Sequence, residues 1–213
     1  MGVSRRSFLK MLGMATAGIA LNPLIPVVAN NEIYVNKKLG IAFRIPKEWY
    51  FYNVQKMDEM YDSQILKPDA PHIDEYIEEL RSQPLVSIGM YPPDEEGNKR
   101  FSPSIVLRLE PKDESIEFES ILNDSNLYLE SVTRNFRALE SRQISDICGY
   151  RALRGKYGYL YEATGMASTP IIGRSCIIDV GAHFYSFNMY NNDPESLGID
   201  TMFDQLESSI MVL

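Results

Sequence analysis

The sequence predicts an α+β fold in which helices pack against an antiparallel β-sheet. Three observations predict it. Runs that alternate apolar and polar residues recur at the spacing of β-hairpins. Two longer segments repeat their apolar residues every three or four positions, as amphipathic helices do. Glycine and proline residues separate these segments as turn formers do. Hairpin-spaced strands with helices gathered against them are typical of an α+β sandwich.

The first half of the chain supplies a hairpin, two further strands and a short helix. Gly40 lies near the turn of the hairpin, and Pro46 ends its second strand. Ile73, Ile77 and Leu80 recur at helical spacing and predict a short surface helix before Pro84. The strands predicted here are residues 33–35, 41–45, 85–91 and 104–109.

The second half supplies a long helix, a run of strands and a closing helix. The long helix is predicted from Phe118, Ile121, Leu122, Leu129, Val132 and Phe136, which lie largely on one side. The strands predicted after it are residues 143–145, 150–157, 171–180 and 183–190, with a turn at Gly181-Ala182. Asp200 is the expected N-cap of the closing helix, in which Phe203, Leu206 and Ile210 recur at three and four residues.

The first 29 residues are typical of an export signal. The segment Ser4-Arg5-Arg6-Ser7-Phe8-Leu9-Lys10 resembles the twin-arginine (Tat) motif, with Ser4, Arg5, Arg6, Phe8, Leu9 and Lys10 as its recognition residues. The apolar run that follows is shorter and weaker than the roughly 20 residues of a spanning helix. Small residues favour cleavage after Ala29. We therefore expect no stable transmembrane anchor after cleavage.

This signal predicts the compartment and the domain organisation. The chain would fold in the cytoplasm, meet the Tat translocase and act in the periplasm or another extracytoplasmic space, the thylakoid lumen if its source is photosynthetic. Residues 30–213 are expected to form a single globular domain. Without the leader's three basic residues, the net charge falls from −8 to −11. An acidic domain of this kind is repelled by nucleic acid, so no nucleic-acid partner is expected.

Several segments resemble PsbP-like proteins. Gly40 to Trp49 is similar to their Gly-Φ-x-Φ-x-Φ-Pro-x-x-Trp entry, where Φ is apolar. Residues 147–152, Ile-Cys-Gly-Tyr-Arg-Ala, resemble a later strand of that family, 183–187 its aromatic penultimate strand, and 203–210 its closing helix. The resemblance implies an α/β/α sandwich with an antiparallel sheet between helices. It also implies mainly non-enzymatic binding roles, although a fold does not fix a function.

The sequence gives little support to a catalytic site or a metal site, because the usual motifs are missing. No Gly-x-Ser-x-Gly elbow, phosphate-binding loop, or Cys or His pair at zinc-ligand spacing is present. We therefore predict no catalytic residue, no metal site and no cofactor. Two alternatives stay open: an envelope hydrolase that joins Cys176 or a serine with His183, and a small-molecule or metal carrier. His72 and the acidic residues at 58, 59, 62, 69, 74 and 75 would serve a carrier, although such charge runs are usually solvated surface.

The cysteines and tyrosines supply the remaining candidate residues. Cys148 and Cys176 either form a disulfide after export or are small apolar residues of strands. Tyr157, Tyr159, Tyr161 and Tyr185 form a candidate interface, because tyrosine is enriched where proteins meet; the other interpretation is amphipathic strands half covered by helices. We predict an exported, non-enzymatic accessory or assembly protein that meets an envelope protein partner.

Overall fold

Two antiparallel sheets organise the part of the chain that the computed structural model describes. The described residues are 27–29, 32–37, 39–52, 84–92, 101–112, 116–192 and 197–212. The small sheet has the strand order β1-β2-β3-β11. Its strands are β1 (Val27–Ala29), β2 (Ile33–Asn36), β3 (Ile41–Arg44) and β11 (Met211–Val212).

The large sheet carries seven described strands in the order β4-β5-β6-β10-β9-β8-β7. They are β4 (Tyr50–Phe51), β5 (Val86–Gly89), β6 (Ser104–Pro111), β7 (Arg134–Ile147), β8 (Tyr150–Tyr161), β9 (Thr169–Asp179) and β10 (His183–Asn191). Two helices accompany these strands, α1 (Ile121–Val132) and α2 (Leu197–Ser209). Strands β6 and β10 lie side by side although more than 70 residues of chain separate them.

One face of the large sheet, the core face, packs against the small sheet and α2. Phe187 of β10 meets Phe43 of β3 edge to face, with ring centroids 5.3 Å apart. Trp49 meets Phe203 of α2 in the same way at 6.2 Å. The Tyr185 hydroxyl donates a 2.6 Å hydrogen bond to the Leu39 carbonyl. This face therefore holds the main hydrophobic core.

The opposite face, the outer face, is covered in part by α1. Leu122 of α1 packs with Leu153, Ile177 and Phe184 of three adjacent strands. The sheet thus lies between helices, as the predicted α+β sandwich requires. Antiparallel neighbours throughout and helices on two faces confirm that fold class.

The structure corrects two boundaries around the helices. The apolar spacing extended the long helix to Phe136, but α1 ends at Val132, where Thr133 is extended and its hydroxyl bonds back to the Leu129 carbonyl at 2.6 Å. Phe136 therefore belongs to β7, which is 14 residues long instead of three. Asp200 is not the N-cap of the closing helix: α2 begins at Leu197, so Asp200 lies in its first turn.

The turns between the long strands follow the sequence closely. Gly181 has φ +91° and joins β9 to β10, as predicted. Cys148 and Gly149 both have positive φ and form the two-residue turn between β7 and β8, the geometry of a type I′ hairpin. The twin-arginine motif and the helix predicted at residues 73–80 lie outside the described residues.

Candidate functional site

A cleft of about 410 Å³ lies between α1 and the outer face of the large sheet. We call it the helix–sheet cleft. Its floor comes from four adjacent strands, β6, β10, β9 and β8, and its roof from α1. The residues that line it are Arg108, Glu110, Leu122, Asp124, Ser125, Asn126, Tyr128, Leu129, Tyr157, Ser175, Ile177, Ser186, Asn188 and Tyr190.

The cleft exists because the floor side chains beneath α1 change from large and apolar to small or polar. The first turn of α1 rests on large apolar side chains through Leu122. Farther along the helix the floor consists of Ser175, Ser186 and Asn188, which are small or polar. Strand register brings them together: Asn188 is opposite Ser175 on β9, and Ser186 is opposite Arg108 on β6. Side chains of that size leave space that a leucine or phenylalanine would fill.

Hydrogen bonds link three residues of the floor across two strands. The Ser175 hydroxyl donates to Asn188 Oδ1 at 2.8 Å. Asn188 Nδ2 in turn donates to the Ser186 hydroxyl oxygen at 3.2 Å. Ser175 and Ser186 are buried, so these bonds satisfy groups that would otherwise be costly to desolvate.

The charges of the cleft floor offset one another. Burial raises the pKa of Glu110, and the nearby Ser186 hydroxyl and the charge of Arg108 oppose that rise only in part. Arg108 lies two residues away on the same strand, and its residue is only 9% exposed. Because alternate residues of a strand share a face, both side chains belong to the outer face. The pair gives the floor a net charge near zero at neutral pH.

Tyrosine rings form one wall of the cleft. Tyr157 stacks between Phe136 and Tyr159, with ring centroids 6.0 and 6.3 Å away. Its ring lies over Gly173 of β9, where a Cβ atom would approach a carbon of the ring to 2.3 Å. A glycine at this position is what allows the ring to lie flat on the sheet.

The four tyrosines of the predicted interface have different environments. Tyr157 lines the cleft, and Tyr159 is half-buried beside it. Tyr161 is buried with Ala163 and Ile171. Tyr185 is fully buried in the main core, where it bonds to Leu39, so its predicted interface role is wrong. Strand alternation separates it from the others, because Tyr185 points to the core face.

The two cysteines are both free thiols, so the disulfide alternative is not realised in this structure. Cys148 is exposed in the β7–β8 turn, and its sulfur lies 3.3 Å from the Ile210 carbonyl oxygen. Cys176 is fully buried on the core face of β9, where burial first and the charge of Glu207 second raise its pKa to about 12. A thiol so protected is the small apolar residue of the second interpretation.

The hydrolase alternative is not supported by the geometry of its candidate groups. Cys176 is paired with Phe187 of β10, four residues along the strand from His183. Four residues of a strand span about 13 Å. The His183 ring instead packs edge-on against Tyr185, with centroids 5.0 Å apart, and burial lowers its pKa.

The described residues include neither a metal-binding cluster nor a membrane-spanning helix. Among the described residues, no cluster of three or more His, Cys, Asp or Glu side chains is placed to hold a metal ion. His72 and the acidic run around it, which the carrier alternative used, lie outside those residues. No helix in the described ranges has the length and apolar character to cross a bilayer.

Sequence reasoning missed the floor of the cleft. The available signal was polar residues at alternate positions of apolar strands: Ser186 and Asn188 in β10, and Arg108 and Glu110 in β6. Alternation places each pair on one face. It does not show that β6 and β10 are neighbours, and that pairing is what joins the two polar segments into one site.

Comparison with known proteins gives similarity of fold at low identity. No protein-family model matches the chain, and no curated protein does. Among solved structures, cyanobacterial PsbP (CyanoP) from Synechocystis sp. PCC 6803 is similar at 13% identity and a TM-score of 0.48, over 87% of this chain and 95% of that one.

Two further solved structures show comparable similarity. LpqN, involved in cell envelope biogenesis of Mycobacterium tuberculosis, matches at 14% identity and a TM-score of 0.47, over 81% of this chain and 82% of its own. The Ran-binding protein Mog1p of Saccharomyces cerevisiae matches at 10% identity and a TM-score of 0.48, over 86% of this chain and 95% of its own.

Proposed function

We propose that this protein is an exported, non-enzymatic binding or accessory protein that holds a protein partner outside the cytoplasmic membrane. The observation that carries the proposal is the helix–sheet cleft, whose volume of about 410 Å³ lies in the range of pockets that bind ligands. It combines buried hydroxyl and amide groups with tyrosine rings. Tyrosine offers apolar area with a polar tip and is enriched at protein interfaces.

The polar groups of the cleft are arranged for holding a ligand and not for activating a nucleophile. A serine nucleophile needs an adjacent base that takes its proton. The Ser175 hydroxyl donates to an amide oxygen, which is not a base. The Ser186 hydroxyl oxygen accepts from Asn188 Nδ2, and this amide is not a base either. Fixed hydrogen bonds of this kind orient a bound group.

The extracytoplasmic location is supported by the leader. Its paired arginines, its short apolar run and its small-residue cleavage site occur in the order of Tat signals. The acidic charge of residues 30–213 favours a partner over nucleic acid or an anionic lipid surface.

Site-specific photocrosslinking in intact cells tests the proposal. A photoreactive phenylalanine analogue would replace Ser125, which is exposed and lines the cleft, and in a control it would replace Glu130, which is exposed on the same helix outside the cleft lining. We expect one discrete adduct in the envelope fraction from position 125 and none from position 130. Equal adducts from both positions, or none from position 125, would refute the proposal.

A further inference from the structure

Strand β1 occupies one edge of β2, and it belongs to the predicted leader. Residues 27–29 pair antiparallel with residues 34–36, and cleavage after Ala29 would remove all of β1. We propose that this edge of β2 is a strand-docking site, which the leader fills before cleavage and an extended segment of the partner's polypeptide fills afterwards. The inference rests on the proposed function, because it requires export and cleavage, but it concerns a surface other than the helix–sheet cleft.

The backbone groups of β2 that form this site follow from the pairing at its other edge. The Glu32 carbonyl, one position before β2, accepts a 2.9 Å hydrogen bond from the Ile45 N–H on the β3 side. Hydrogen-bonded and non-hydrogen-bonded pairs alternate along an antiparallel ladder, so the N–H and C=O of Val35 point away from β3, toward β1. Val28 lies opposite Val35, and these two residues therefore form the hydrogen-bonded pair of the β1–β2 ladder.

Strand β2 is held in place by contacts that do not involve β1. All four of its residues pair with β3. Tyr34 is buried in the main core, where its ring centroid lies 5.1 Å from that of Phe43. Asn36 Oδ1 accepts a 3.1 Å hydrogen bond from the Leu39 N–H in the turn that follows β2. Removal of β1 would therefore leave an ordered edge, and an ordered site loses less conformational freedom on binding.

The strand that fills this site in the structure shows what kind of segment fits it. Strand β1 is extended, antiparallel to β2 and three residues long, and its sequence is the uncharged Val-Val-Ala. Addition of such a strand to a sheet binds mainly through main-chain hydrogen bonds. Ile33–Asn36 contains no charged residue and no proline, the usual protections of an edge. We therefore expect the partner to contribute an extended, uncharged segment that runs antiparallel to β2.

Net charge disfavours a second copy of this chain as the occupant. Two β2 strands could pair antiparallel across a two-fold axis. Residues 30–213, however, carry a net charge of −11, the −8 of the whole chain less the three basic residues of the leader. A net charge so far from zero keeps proteins monomeric. The segment that replaces β1 is therefore expected to come from a different protein.

Site-specific photocrosslinking in intact cells tests this inference. A photoreactive phenylalanine analogue would replace Lys37, which is exposed at the end of β2, and in a matched control it would replace Lys47, which is exposed beyond β3. With the unsubstituted leader, mass spectrometry should find a mature chain that begins at Asn30. Position 37 of that chain should give one discrete adduct with another protein, and position 47 should give none.

Three leader variants separate the open edge from cleavage itself. Ala29→Leu replaces the small residue of the cleavage site, so β1 stays in place and the adduct from position 37 should fall at least tenfold. Adding Val28→Pro removes the N–H that faces β2 and interrupts the ladder, so the adduct should return although the leader is retained. Adding Val27→Pro instead removes an N–H that points away from β2, so the adduct should stay low.

Amide hydrogen exchange measures the state of the edge without any partner. In the purified, uncleaved Ala29→Leu chain, the Val35 N–H should exchange at least tenfold faster once Val28→Pro is added, and at the same rate once Val27→Pro is added. The Tyr34 N–H, which points to β3, should not change in either variant. Faster exchange at Tyr34, or no change at Val35, would overturn the assignment of this edge.

The outcomes separate this inference from the proposed function. A mature chain that retains β1, an adduct that persists in Ala29→Leu, restoration by Val27→Pro, or an adduct of two copies of this chain would overturn the inference. An adduct from position 125 of the helix–sheet cleft without one from position 37 would also overturn it, whereas the proposed function would stand. An adduct from position 37 with the expected leader dependence, without one from position 125, would support the inference and refute the proposed role of the cleft.

Discussion

Gly173 is the residue on which the position of the Tyr157 ring depends. The ring lies over the glycine, within 2.3 Å of where a Cβ atom would be. Tyr157 of β8 pairs directly with Gly173 of β9, so the ring contacts the backbone of the neighbouring strand. A side chain at this position must move either the ring or the strand, and the ring is the wall of the cleft.

We expect Gly173→Ala to destabilise the protein by about 1 to 3 kcal/mol, the usual cost of overpacking a filled site. It should also perturb the cleft, because the displaced Tyr157 ring enters it. Chemical denaturation measures the first effect and the NMR shift of Asn188 the second. Gly158→Ala is the matched control, since its Cβ would lie 3.3 Å from the flexible end of Arg137. Equal losses in both variants would contradict this account.

Glu110 is a second residue whose environment has a measurable consequence. Burial raises its pKa above the ordinary 4.5, against the opposing effects of Ser186 and Arg108. The folded state therefore binds the proton more tightly than the unfolded state does. By linkage, this group adds stability at low pH, and that stability is lost as the pH rises through the folded-state pKa.

The stability of Glu110→Gln relative to the unsubstituted protein should therefore be greater at pH 7 than at pH 4.5. The difference should shrink on acidification and reach a constant value below about pH 4.5, the ordinary pKa. Denaturation midpoints measured from pH 4 to pH 8 check the direction. A glutamine variant that is less stable at pH 7 than at pH 4.5, relative to the unsubstituted protein, would show that the sign is wrong.

The two cysteines differ in accessibility, and this predicts their reactivity. Cys148 is an exposed turn residue, whereas the Cys176 thiol is fully buried with a pKa raised to about 12. The thiolate is the reactive form. Native protein should therefore take up one equivalent of maleimide at Cys148, and denatured protein two. Uptake of none in the native protein, with two after reduction, would reveal a disulfide instead.

At the scale of elements, α2 is attached to the core face by a buried carboxylate. Glu207 is 7% exposed, and each of its oxygens meets one guanidinium: Arg154 at 2.7 Å and Arg174 at 3.2 Å. Arg174 also meets Asp204 of α2 at 2.7 Å. The helix is thus fixed to strands β8 and β9 by ion pairs in addition to its apolar side.

We expect Glu207→Ala to cost about 3 kcal/mol, because it removes the carboxylate that pairs with Arg154 and leaves Arg174 with the exposed Asp204 alone. Asp204→Ala is the control: it removes an ion pair from the same arginine, but Asp204 is 68% exposed, and exposed pairs contribute about 1 kcal/mol or less. Urea denaturation with unchanged m-values measures both. Equal losses would mean that burial of Glu207 does not matter.

The outermost described strand of the large sheet, β7, illustrates how an exposed strand is protected. Its pairing with β8 is interrupted by three register shifts between Arg134 and Gln143. Irregular pairing and charged residues both hinder the addition of another strand to an edge. Regular pairing with β8 resumes at Gln143 and continues to the Cys148-Gly149 turn.

The elements also show what the sequence can and cannot predict. Strands β9 and β10 and the Gly181 turn follow from alternation and one glycine, which are local. The end of α1 could not be predicted from the apolar spacing, because Phe136 continues that spacing. Thr133 and the positive φ of Asn135 nevertheless end the helix. The cleft depends on the pairing of β6 with β10, and pairing of distant strands has no local signature.

Strand alternation could have predicted the burial of Tyr185, but its grouping with the other tyrosines suggested an interface instead. Counting tyrosines groups Tyr185 with Tyr157 and Tyr159, whereas alternation along β10 places it on the face of Phe187, in the core. The identity of the residue suggested an interface; its position on the strand decided its role. Candidate sites in strands therefore require the face as well as the residue type.

For the whole molecule, the predicted leader can be tested separately from the rest of the chain. Replacing both Arg5 and Arg6 by lysine should abolish export, since the paired arginines are read by the translocase as the Tat resemblance implies. The full-length protein should then accumulate in the cytoplasm, with the same denaturation midpoint as the unsubstituted full-length chain. Cell fractionation measures this. The control is a variant in which Lys37 and Lys47 are both replaced by arginine, which also preserves the charge. Undiminished export of the Lys-Lys variant would refute the Tat assignment.

Strand β1 lies at the cleavage site that the sequence predicts after Ala29. Val27 lies opposite Asn36 and Ala29 opposite Tyr34, so the bond that follows Ala29 adjoins a hydrogen-bonded ladder. A protease that requires an unpaired substrate could act there only after this ladder frays, and fraying of terminal strands is inexpensive. The rate of cleavage would then depend on local opening of β1, and the cleaved protein would expose the unpaired backbone edge of β2.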